Sequence, residues 1–160
     1  MTGNGDQTAQ ELNQPGAQDL LRTQSLARLA YSGTDGTPRV VPIGFWWTGD
    51  EIVMCTATTA PKVRALRARP PVALSIDTND ARALQVRGTA EIDVVDGIPD
   101  EYLKASFKGI PDEAARQEFE ANVRKTYPQM ARISVRPAWA RYYDFGTGRL
   151  PEFLSELVGG

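Results

Sequence analysis

The stretch Ala83 to Val95 alternates between apolar and polar residues. Leu84, Val86, Ala90, Ile92 and Val94 share one face, and Gln85, Arg87, Thr89, Glu91 and Asp93 share the other. Only an extended strand, with successive side chains on opposite sides, turns that pattern into one apolar and one wet face. Such a strand needs partners. Asp35-Gly36 is the strongest turn signal in the chain, because Asp-Gly tolerates the positive φ of a tight hairpin. After it, Arg39 to Trp47 sets Val41, Ile43, Phe45 and Trp47 on one face and Val40, Pro42, Gly44 and Trp46 on the other. Thr48-Gly49-Asp50 makes a second turn, and Glu51 to Thr56 returns. Val72 to Asp77 and a long run from Met130 to about Phe145 complete the strands. Leu26 to Tyr31 also reads as a strand, with a helix open for so short a run.

Helical segments fall between these strands. Ala17 to Arg22 places Leu20 and Leu21 inward. Pro61 opens Lys62 to Arg69, which Pro70-Pro71 terminates. Ile98-Pro99-Asp100-Glu101 recurs as Ile110-Pro111-Asp112-Glu113, and proline followed by acids suits a helix start. In the second of these helices Ala115, Phe119, Val123 and Tyr127 form an apolar stripe. Leu150 to Val158 suits a short terminal helix. The polar stretch Met1 to Gln14 is expected to be a disordered tail, leaving residues 15–160 as one domain. The expected fold is mainly β (α+β): a six-stranded antiparallel β-barrel with a few flanking helices, since closure removes exposed edges.

Several function classes drop out. The net charge of −2 argues against nucleic-acid binding. No apolar run approaches the roughly 20 residues of a membrane helix. The N-terminus has no apolar signal core, so secretion is not expected, and the single cysteine, Cys55, fits a reducing cytoplasm. The chain has no histidine, which removes the Ser-His-Asp triad, the Cys-His pair and His-ligated zinc. Chemistry would then rest on carboxylates, Lys, Arg, Tyr, Cys55 or a bound cofactor. No metal site is expected: the oxygens of Asp77 to Asp80 lack EF-hand spacing.

Arg39-Val40-Val41-Pro42-Ile43-Gly44, then Cys55-Thr56, Ala60-Pro61-Lys62-Val63-Arg64-Ala65-Leu66-Arg67, Gln85-Val86-Arg87-Gly88, Met130-Ala131-Arg132-Ile133 and Arg136-Pro137-Ala138-Trp139 follow in that order. As a set they resemble the FMN-binding split β-barrel family founded on pyridoxamine 5'-phosphate oxidase, above all its small actinobacterial members. The resemblance implies a homodimer with cofactor sites at the subunit interface and an oxidoreductase that exchanges hydride or electrons with a small organic substrate. No catalytic protein nucleophile is implied. Arg39, Val40, Val41, Pro42 and Ile43 would run beside an FMN ring and bond its polar edge through their backbone. Thr56 would bond phosphate or ribityl oxygens, with Cys55 beside it in the cofactor set, and Lys62 would pair with the phosphate, Arg64 standing in for a missing arginine. The Gln85–Arg87 stretch would meet a cofactor from the partner subunit, with Ala83 and Gln85 both open for the glutamine position, and Trp139 stands as a cofactor contact, a structural residue or a dimer contact. Related barrels bind the deazaflavin coenzyme F-420, which stands as one alternative; the other is a non-enzymatic barrel that holds a cofactor, a haem-like tetrapyrrole or another flat ligand without turnover. Pro61 replaces the arginine before the founding enzyme's lysine, and that enzyme's substrate-binding arginine and histidine motif is absent. Lys62, Arg64, Arg67 and Arg69 also read simply as a solvated helix face, and Cys55 as a small core residue.

Overall fold

The computed structural model describes residues 3–159. Seven strands form one antiparallel sheet: β1 (Leu26–Ser32), β2 (Pro38–Gly44), β3 (Trp46–Trp47), β4 (Ile52–Thr56), β5 (Pro71–Asp77), β6 (Arg82–Asp96) and β7 (Gln129–Asp144), in the order β2-β1-β5-β6-β7-β4-β3. Among the described residues six α-helices surround it: α1 (Gly3–Leu12), α2 (Pro15–Thr23), α3 (Pro61–Ala68), α4 (Asp100–Phe107), α5 (Glu113–Thr126) and α6 (Glu152–Val158).

The expected six strands become seven because the run after the first turn breaks at Phe45. Pro38–Gly44 pairs with β1, whereas Trp46–Trp47 pairs with β4. The two end strands of the ladder are therefore joined by one residue, and the sheet must roll up to bring them together. No ladder pair links β2 to β3 among the described residues, so the roll is not a hydrogen-bonded closed barrel. The parity read from the sequence survives the break: Phe45 is fully buried, and Val41, Ile43 and Trp47 pack against the same core.

Lys108, just past α4, fastens this corner. Its ammonium donates to the carbonyls of Leu21, Gln24 and Phe45 at 3.3, 3.0 and 3.2 Å. It also lies 4.1 Å from the Phe45 ring centroid. Two of those carbonyls belong to the end of α2, where a cation meets the negative end of the helix dipole. Burial pushes the amine down to about 8.

Two cores lie on opposite sides of the sheet. Inside the roll, Leu29, Leu74, Ile76, Leu84, Val86 and Ile133 surround Leu20 and Leu21 of α2, which plugs the roll. On the outside, α4 and α5 cover β4 and the first half of β7. β4 serves both: Ile52 and Met54 face inward, Val53 and Cys55 outward. The stripe Phe119, Val123, Tyr127 reaches this second core, and Asp112 caps α5 by accepting from the Ala115 N–H at 2.9 Å.

Where a disordered tail was expected, α1 is a helix laid on β7. Thr8 and Leu12 are buried, the Thr8 hydroxyl donates to the Ala138 carbonyl at 3.3 Å, and Glu11 pairs with Arg149. A polar composition suffices because only one narrow face is covered. β7 carries a bulge: Arg87 pairs with Trp139 but Gly88 with Pro137, leaving Ala138 as the extra residue. Before it, odd-numbered residues such as Ile133 and Val135 face the inner core; after it, Ala140 and Tyr142 do.

A Cβ on Gly88 would lie 2.7 Å from the Arg136 carbonyl oxygen, whereas one on Gly44 would meet nothing closer than the Ser25 carbonyl at 3.8 Å. Gly88→Ala is expected to cost about 1–3 kcal/mol by overpacking, and Gly44→Ala well under that. Urea unfolding of the two variants beside the parent checks the contrast.

Candidate functional site

The helices leave one part of the sheet's outer side bare. Across β2, β1, β5, β6 and β7, the register aligns Val40, Ala30, Ala73, Arg87 and Trp139 in one row. The next row is Pro42, Arg28, Ser75, Gln85 and Arg141. The middle strands carry only Ala30, Ala73 and Ser75 between larger residues, so the rows form a trough with a shallow, smooth floor. Its cavity is about 320 Å³. Val40 and Leu26 on this side are 68% and 55% exposed, unusual for large apolar residues on a folded sheet.

The trough is cationic along one wall. The Arg87 guanidinium lies 4.0 Å from the centroid of the Trp139 ring, and that of Arg141 lies 5.4 Å from it. Neither has a carboxylate partner among the described residues, while Arg28 meets Asp77 at 3.4 Å. Guanidinium on indole is a rigid, flat arrangement that favours a planar or anionic guest. β2 also ends the ladder, so alternate backbone N–H and C=O groups along it point away from β1 and are not used by the sheet.

A second cluster of positive charge lies at the start of α3. Its N-cap residue is Ala60, with no side-chain cap and no acid in the first turn. Lys62 and Arg64 stand there without an ion-pair partner among the described residues. Free N–H groups at a helix start plus unpaired cations suit an anion. Thr56 ends β4, half-buried, on the strand leading to this turn.

Of the residues picked from the sequence, Val40, Gln85, Arg87 and Trp139 line one trough, and Pro42 stands in the adjoining row. Gln85, rather than Ala83, lines it. Val41 and Ile43 turn into the inner core, which leaves only their backbone for any ligand. Arg39 is drawn back to the turn, where Asp35 holds it at 3.2 Å. Thr56, Lys62 and Arg64 belong to the separate β4–α3 region. Cys55 faces neither, pointing instead into the outer core beneath α4. Sequence reasoning missed Arg28 and Arg141. Both sit at polar positions of alternating strands, but only the register shows that they share a row with Gln85.

A family model described as pyridoxamine 5'-phosphate oxidase matches residues 14–144. No curated protein matches the sequence. Among solved structures, an F420 reductase is 28% identical, covering 77% of this chain and 94% of that one, with a TM-score of 0.52. The FAD and heme binding protein from Mycobacterium smegmatis is 25% identical, with coverage of 89% and 76% and a TM-score of 0.57. A conserved hypothetical protein from Mycobacterium tuberculosis is 21% identical, covers 84% and 86%, and shares the fold with a TM-score of 0.62.

Burial, and secondarily the nearby Glu101 carboxylate, pushes the Cys55 thiol up to about 12. The thiol is therefore protonated and unreactive in the folded chain. Iodoacetamide at pH 8.5 should alkylate native protein very slowly and urea-unfolded protein rapidly, read by intact mass. Because the folded state keeps this proton longer than the unfolded one, its stabilising contribution falls as pH rises from about 9 towards 12.

Proposed function

The chain belongs to the pyridoxamine 5'-phosphate oxidase family, and from that premise we propose that it is a flavin-dependent oxidoreductase, working as a homodimer on a small organic substrate. The observation that carries the reading is the bare, cationic trough of Val40, Gln85, Arg87 and Trp139 beside a free strand edge. Its floor of alanine and serine suits a flat ring, and its guanidinium–indole wall suits a ring that gains negative charge on reduction.

The donor set fits FMN. Lys62 and Arg64 would hold the phosphate together with the Lys62 backbone N–H, and Thr56 would bond the ribityl or phosphate oxygens. The unused backbone groups between Arg39 and Ile43 would bond the ring's polar edge. The exposed Val40 and Leu26 supply an apolar surface for a second copy. Gln85, Arg87 and Trp139 would then face the cofactor held chiefly by the other protomer, and together the two copies would exclude water. A bound flavin supplies the hydride or electron transfer; the chain positions it and sets the charge around it. The missing arginine and histidine motif of the founding enzyme directs the substrate away from pyridoxamine phosphate.

A second reading, the deazaflavin coenzyme in place of FMN, is supported by the 28% likeness to the F420 reductase. The phosphate-holding residues would serve either cofactor.

Lys62→Ala should weaken FMN binding at least about tenfold, the scale of one charge-assisted hydrogen bond, while leaving thermal stability unchanged. Arg87→Ala should weaken it similarly and reduce dimer content. Equilibrium dialysis with FMN and, separately, with the deazaflavin, together with sedimentation, measures both effects. Parent-like affinity for both cofactors in both variants would overturn the reading.

A further inference from the structure

A second cavity, of about 300 Å³, opens between α4 and the ends of β1, β2 and β4, away from the trough. Its walls are mostly apolar, with Gly44, Ala105 and Tyr102 among them. One charged group lines it. Glu101 accepts two hydrogen bonds from Arg132, at 3.1 and 2.9 Å, both on Oε2. Its own backbone N–H also bonds the carboxylate, and a carboxylate's roughly four acceptor sites are not all used by these bonds. Burial opposes ionisation most, yet the bonds from Arg132 hold the carboxyl below its ordinary value. The neighbouring Tyr102 hydroxyl is pushed up by burial and, like the Cys55 thiol, remains neutral.

These features define a guest. The Glu101–Arg132 pair is neutral as a unit, so a charged guest would enter without compensation for its lost hydration. The remaining acceptor capacity of the Glu101 carboxylate rewards a donor, since a bond to an ionised group is about twice as strong as a neutral one. The volume lies at the small end of ligand sites. Gly44 contributes no side chain to the wall, and Ala105 contributes only a methyl group, so the cavity stays open where larger residues would fill it.

We propose that this cavity beneath α4 binds a compact, uncharged, largely apolar molecule that donates one O–H or N–H to Glu101. The cavity and the trough share no lining residue, and only Leu26, at the cavity's rim, and Cys55 on its wall also figure in the cofactor reading.

Indole is a suitable probe: planar, uncharged and carrying one N–H. Titrated into the full chain, it should shift the backbone amide resonances of Gly44, Ser106 and Gly109 in a saturable way. 1-Methylindole, which lacks the donor, should bind at least about tenfold more weakly, by the scale of a hydrogen bond to a charged group. Ala105→Leu should abolish the shifts by filling the cavity. The proposal is overturned by the absence of indole-dependent shifts at those amides, by equal affinity for indole and 1-methylindole, or by undiminished binding in A105L. If A105L does not fold, the comparison of the two indoles on the parent protein decides. FMN titration of the same samples keeps the readings distinct: A105L should bind FMN as the parent does, and a parent protein that binds indole but not FMN would count against the cofactor reading alone.

Discussion

A single residue, Phe45, joins the two outermost strands of the sheet, and most of the architecture depends on it. Because β2 and β3 are consecutive in the chain yet lie at opposite ends of the ladder, the sheet has to curl until its ends meet. Curling creates an interior, and α2 fills it with Leu20 and Leu21. Burying the Phe45 ring contributes about 2–3 kcal/mol to holding the corner. The strand break also frees the Phe45 carbonyl, and Lys108 takes it up along with the orphan carbonyls at the end of α2. One ammonium thus serves a helix terminus and a strand break, both of which would otherwise leave buried acceptors unsatisfied.

A rolled sheet has an outside, and the use of that outside divides the molecule. Beneath α4 and α5, β4 and the first half of β7 are buried on both sides, which makes this the stiff half. Beyond Gly88 the outer rows emerge from cover. There the strands carry small residues in the middle and arginines and tryptophan at the margin. The functional reading rests on that contrast: the same alternation that fills a core on one side lays out a flat, positively charged surface on the other.

Much of this was legible in the sequence. The two faces of Arg39 to Trp47 and of Ala83 to Val95 were readable because strand parity is a local property. The helix starts at Asp100 and Asp112 followed from proline and acid chemistry. Three things were not legible. The N-terminal helix is held by Glu11, Thr8 and Leu12 meeting β7 and Arg149, partners more than a hundred residues away. The bulge at Ala138 reverses parity within β7, so no single alternation describes Met130 to Asp144. The break at Phe45 left no local mark, because its side chain keeps the parity of its neighbours. Val40, Gln85, Arg87 and Trp139, named from an ordered likeness, line one cavity. Arg28 and Arg141 needed the register, and of the two readings of Cys55, cofactor contact and small core residue, its place in the outer core matches the second.

The unsealed line between β2 and β3 gives the roll a preferred direction of give. Widening the sheet anywhere else means breaking a row of backbone hydrogen bonds, whereas along this line the edges are held by side-chain packing and one ammonium group. Thermal breathing will therefore concentrate there, and it will carry β2 with it. The strand with the most unused backbone groups is also the one that can shift to accept a guest at the least expense to the rest of the structure.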